Sequence, residues 1–176
     1  AFLKLSERVA AELQAMLQER LTPCDRGTDL LETLVRGMSD QFGPESVCNL
    51  LGPALFMFFA SYETTAGALT WTLFLMAQHP EIMRDLYSEL DGALHGAPPT
   101  LNQLDRFPLL DGVVKESMRI LPPIPMLHRI VTRETSFRDL DLRRGDRVIC
   151  SQYLTHHSPE IYSHPQRFDP YRWFSI

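Results

Sequence analysis

Cysteine is scarce in this sequence. Cys24, Cys48 and Cys150 are its only three. They stand too far apart for a zinc motif, and an odd count argues against a disulfide framework. Clustered positive charge is missing too. With 17 Lys and Arg against 22 Asp and Glu, the net charge is -5, which argues against general binding to nucleic acid because phosphate affinity needs grouped cations. No Asn-x-Ser/Thr sequon occurs, in keeping with a reducing, intracellular compartment. Internal repeats and low-complexity segments are absent. Ala1-Phe2-Leu3-Lys4 carries no cleavage signature and runs straight into an amphipathic pattern, so it does not read as a signal peptide.

What is present suits one globular domain: 176 residues, 44% hydrophobic and 22% charged. Phe2, Leu5, Val9, Leu13, Met16 and Leu17 recur at helical spacing and predict a helix over 2–20. Asp29 and Glu32 have capping-box spacing ahead of Leu30, Leu31 and Leu34. A third helix is predicted over 45–79, and between Glu45 and Glu81 the only charged side chain is Glu63. Its length, on the order of 50 Å at about 1.5 Å per residue, exceeds one bilayer crossing. The apolar stretches on either side of Glu63 each fall short of the roughly 18 residues a span needs. A helix apolar on most faces is expected in the core of a larger protein.

Pro80 starts a fourth helix, predicted to run to Leu94. A fifth covers 109–121 and is ended by Pro122-Pro123. The texture then changes to short β-type runs at 129–132, 136–142 and 147–150. Arg144-Gly145-Asp146 is expected to be a tight turn before the last of them, not an adhesion motif. The Pro- and aromatic-rich tail, 158–173, reads as packed coil. The fold class is mainly α with a small β region.

Glu63 carries the sharpest chemical signal. An ionised carboxylate inside an apolar helix must be paired, hydrated or neutral. Ser61, Tyr62, Thr64 and Thr65 surround it. Threonines that bond back to carbonyls one turn earlier bend a helix. An acid beside a hydroxyl can relay protons from solvent. The plain alternative is a Glu turned to a polar loop, with threonines that only pack.

Ala60-Ser61-Tyr62-Glu63-Thr64-Thr65 resembles the Ala/Gly-Gly-x-Glu/Asp-Thr-Thr signature of the cytochrome P-450 family. Two further segments fit the resemblance in order. Glu116-Ser117-Met118-Arg119 matches that family's Glu-x-x-Arg helix, and Pro165-Gln166-Arg167-Phe168 matches its Pro-x-Arg-Phe segment. The likeness is strongest from 49 to 173. It implies a partial P-450 fold: a long central helix, the Glu-x-x-Arg helix, a small sheet and the start of the meander.

The resemblance also implies roles. Glu63 and Thr64 would deliver protons to dioxygen. Glu116, Arg119 and Arg167 would form a structural ion-pair cluster. Ala60, His128 and Arg129 would contact haem b, the two basic residues near a propionate. Leu55, Phe59, Tyr62, Ile124 and Met126 would line a pocket for an apolar substrate. The partners implied are a ferredoxin- or reductase-type donor, drawing on NAD(P)H, and no nucleic acid. Ser61 departs from the family's Gly and leaves open a peroxide-using or isomerising reaction. The family's haem-ligand Cys lies in a Phe-x-x-Gly-x-Arg-x-Cys loop, which would fall beyond Ile176, so no metal ligand is assigned. His156, His157 and His164 are expected to pack and not to bind metal. The chain is therefore expected to be one partial domain, 1–176, without the family's N-terminal part and haem loop. By itself it is expected to be inactive; a haem-free scaffold is the alternative. A membrane anchor outside this segment stays open.

Overall fold

The computed structural model describes residues 2–21, 29–42 and 50–175. Two compact units divide the chain, Ala1–Glu63 and Thr64–Ile176.

The first unit contains α1 (Phe2–Leu21), α2 (Leu30–Phe42) and the opening half of α3 (Leu51–Gln78). Asp29 starts α2: its carboxylate accepts from the Glu32 N–H at 2.9 Å, the half of a capping box that satisfies an orphan helical donor. Leu17, Val35, Leu50 and Ala54 form the buried core, with Leu31, Leu34 and Leu51 packed around them. The predicted start of the long helix, 45–49, lies outside the described residues, as do Cys24 and Cys48.

The second unit continues α3 and adds α4 (Pro80–Leu94), α5 (Leu101–Leu104) and α6 (Pro108–Ile120). Proline stands at the first position of both α4 and α6, where its missing N–H costs nothing. α5 is a single turn, opened by the capping-box spacing of Thr100 and Gln103. Gln103 Oε1 accepts from both the Thr100 N–H and hydroxyl, each at 2.8 Å. Leu75, Ile82, Leu86, Leu109, Val113 and Phe168 make the core of this unit.

Two antiparallel ribbons follow. β1 (Met126–Ile130) pairs with β4 (Arg147–Ser151), and β2 (Thr135–Phe137) pairs with β3 (Leu140–Leu142). The β run predicted at 129–132 therefore begins three residues earlier. The run predicted at 136–142 is two strands, because Arg138 adopts a left-handed φ of 51° and folds it into a hairpin. Gly145, at φ 96°, makes the expected turn: its N–H donates to Val131 O at 2.8 Å, and Val131 N–H donates to Asp146 O at 2.9 Å. A short helix, α7 (Gln152–His156), leads into irregular chain and a final 3₁₀ helix, Pro170–Ser175.

α3 is the helix expected in the core of a larger protein. Its apolar composition suggests burial on most faces, yet Phe56 and Tyr62 are each 73% exposed, and Leu69, Leu73 and Phe74 are exposed too. Composition states that a helix gains by burial; only a partner surface provides it. Among the described residues most of α3 lacks one. No helix of the described residues is long and apolar enough to cross a membrane.

Candidate functional site

The Glu116 carboxylate on α6 is fully buried in the second unit. Five donors converge on it. Arg119 Nη2 and Nε bond Oε1 and Oε2, each at 2.9 Å. Arg172 Nε reaches Oε1 at 2.9 Å and the Asp169 N–H reaches it at 3.0 Å. The Trp173 indole N–H donates to Oε2 at 3.0 Å. Burial pushes the carboxyl pKa up. The bonds from Arg119, Asp169 and Arg172, with the Arg119 charge, outweigh it and hold the group below its ordinary value.

Arg119, only 1% exposed, spends every N–H it has. Besides Glu116 it bonds the carbonyls of His156 (2.7 Å), Pro165 (2.8 Å) and Arg167 (3.2 Å). Its guanidinium carbon lies 5.1 Å from the Tyr162 ring centroid. The irregular chain between α7 and the 3₁₀ helix thus has its carbonyls gathered around one buried cation, which replaces a strand or helix as the source of partners.

The expected cluster was Glu116, Arg119 and Arg167. The first two meet as expected, but the third member is Arg172. Arg167 turns its side chain to solvent and offers its backbone carbonyl, which accepts from both Arg119 and Arg172 Nη2. A signal for this was present in the sequence: Pro170-Tyr171-Arg172-Trp173 is a second Pro-x-Arg-aromatic tetrad, five residues after the first.

Three further contacts escaped the sequence reading. Glu89 on α4 accepts the N–H groups of Leu109 and Leu110, at 3.0 and 3.2 Å, and so caps α6 from another helix. Tyr171 donates to Asp85 on α4 at 2.5 Å; that bond, with burial and the nearby acids, pushes the phenol up to about 12. Gly112 admits the 3₁₀ helix: a Cβ there would stand 2.6 Å from Pro170 O.

The remaining predicted residues are spread out. Glu63 is exposed, not buried, and Thr64 is half-buried. The buried-acid inference fails because the helix around Glu63 is itself open. In the first unit Ala60, Phe59 and Tyr62 are exposed and Leu55 is half-buried. In the second, Ile124 is 43% and Met126 is 54% exposed. His128 and Arg129 are both exposed on β1, but successive strand residues face opposite sides, so the two side chains do not share one surface.

Comparison with known proteins agrees with this architecture. The cytochrome P-450 family model matches residues 2–175. The chain is 32% identical over 173 residues to cyclooctat-9-en-7-ol 5-monooxygenase of Streptomyces melanosporofaciens, covering 95% of this chain and 38% of that protein. It is 31% identical over 145 residues to pentalenene oxygenase of Streptomyces avermitilis, covering 82% and 32% respectively. A zebra fish cytochrome P-450 solved with progesterone superposes with a TM-score of 0.83 at 30% identity, over 94% of this chain and 41% of that one. The chain belongs to the cytochrome P-450 family, and it spans about two fifths or less of these relatives.

That family implies haem. Arg129 suits a propionate: its guanidinium is exposed, and its bond is a local one, from Nη1 to His128 O at 3.0 Å. The described residues offer no comparable thiolate site, since Cys150 stands alone on strand β4 opposite Leu127. The residues present would fit the rim of the group and leave its iron ligand unassigned.

Proposed function

We propose that the protein carrying this chain is a haem-dependent monooxygenase that inserts one atom of dioxygen into an apolar organic substrate. Its electrons would come from NAD(P)H through a ferredoxin- or reductase-type partner. The observation that supports this best is the Glu116–Arg119–Arg172 cluster, in a chain whose relatives include a monooxygenase and an oxygenase.

Haem b, when bound, supplies the oxygen-activating redox chemistry. Arg129 would hold a propionate, with the His128 carbonyl steadying its guanidinium. Ala60 would let a flat ring approach the helix. Thr64 Oγ1 would pass protons inward. Glu63, open to solvent, would take them from bulk water and resupply Thr64. Leu55, Phe59 and Tyr62 on α3 would bind apolar substrate, and so would Ile124 and Met126 in the second unit. A lipid or terpenoid suits these side chains.

Ser61, where the family has Gly, keeps a peroxide-using reaction as the alternative. Its hydroxyl donates to Phe58 O at 3.1 Å and is tied to its own helix. The test is spectroscopic and kinetic. The full-length protein should give a reduced, carbon-monoxide-bound absorption band of thiolate-haem type, and turn over with dioxygen and a reductase. Absence of the band would overturn the proposal, and turnover with peroxide alone would favour the alternative.

A further inference from the structure

Gly67 lies inside α3, one turn after Thr64 and on the same helix face. Glycine weakens a helix interior relative to alanine, so a reason for it is worth seeking. A Cβ at this position would stand 3.7 Å from Pro123 Cβ, an ordinary contact. A larger side chain directed at Pro123 would overlap it.

Pro123 cannot give way locally. Prolines 122, 123 and 125 fix three of the backbone φ angles in a stretch of four residues. Before them, Leu121 N–H is held by Ser117 O at 2.8 Å. At their other end Pro125 O accepts from Tyr153 N–H at 3.1 Å, and Met126 enters the β1–β4 register opposite Ser151. Pressure from residue 67 is therefore transmitted to the whole segment, including the exposed side chains of Ile124 and Met126.

The geometry points to Gly67 as a specificity-determining residue: a side chain no larger than a methyl group keeps the spacing between α3 and segment 122–126, and with it the girth of substrate admitted beside Thr64. This rests on the proposed function, which assigns Ile124 and Met126 to substrate.

The test compares the full-length protein with its Gly67→Ala, Gly67→Val and Gly67→Leu variants. Calorimetry gives affinities for three apolar probes of rising girth: a linear fatty acid, a bicyclic decalin alcohol and a steroid. Crystal structures of the parent and the Leu variant give the position of segment 122–126. Gly67→Ala should leave the affinity ratios unchanged. Gly67→Leu should displace the segment by about 1 Å, because close-packed contacts transmit strain. It should also shift the steroid-to-fatty-acid ratio toward the steroid by on the order of tenfold, the scale on which pocket shape discriminates. Gly67→Val supplies both readings if the Leu variant does not fold. An unmoved segment, or unchanged ratios in a folded variant, overturns the inference. If no probe binds the parent, the proposed substrate class falls, and the crystallographic displacement still decides the role of Gly67.

Discussion

Arg167 and Arg172 occupy equivalent places in two Pro-x-Arg-aromatic tetrads, yet the fold uses them in opposite ways. Arg172 is 89% buried as a side chain and bonds Glu116, while Arg167 contributes only its carbonyl. Removing one partner of a buried pair costs about 3–5 kcal/mol, whereas exposed substitutions stay within about 0.5 kcal/mol. Arg172→Ala should therefore lower unfolding free energy several-fold more than Arg167→Ala, as read by urea denaturation of the full-length protein. Equal effects would return the role to Arg167. A second expectation concerns acid. In the folded chain Glu116 titrates below the ordinary glutamate value. Its contribution to stability is complete above that value and is lost as pH falls through the folded pKa. The Glu116 carboxyl carbon, followed by NMR, should still be mostly ionised at the pH where a free glutamate is half-protonated; half-protonation there would contradict the geometry.

At the scale of elements, α6 is held from three directions. Glu89 caps its start, Gly112 admits the 3₁₀ helix against its middle, and Glu116 bonds its end to Asp169, Arg172 and Trp173. Gly112→Ala forces a Cβ against backbone and should cost about 1–3 kcal/mol despite the better helix propensity of alanine. The same substitution at Gly67, where a Cβ has 3.7 Å, should cost nothing. Comparing the two melting temperatures checks both. Thr100 and Gln103 are three residues apart, so their capping-box spacing is a local signal. The Glu89 cap is not, because its carboxylate is 20 residues from the N–H it serves.

For the molecule as a whole, the three motifs appear in family order, but their consequences differ. The cluster at Glu116 is complete among the described residues. The acid at Glu63 is open to solvent, and α3 carries much exposed apolar surface. In the full-length protein, Glu116→Gln should abolish haem retention by releasing the chain from α7 to the 3₁₀ helix. The haem content of the purified variant measures this directly, and full loading would remove the proposed link between cluster and cofactor.

The order of the helices, their approximate bounds, the β character of the later segment and the pairing of Glu116 with Arg119 follow from the sequence. Each depends on periodicity, Pro and Gly punctuation, or a three-residue spacing, all of which act locally. The choice of Arg172 over Arg167, the carbonyls gathered on Arg119, the long-range cap by Glu89 and the exposure of Glu63 were decided by tertiary structure. They depend on which surfaces and carbonyls meet across tens of residues, and hydrophobicity states only that burial is favourable, not what supplies it.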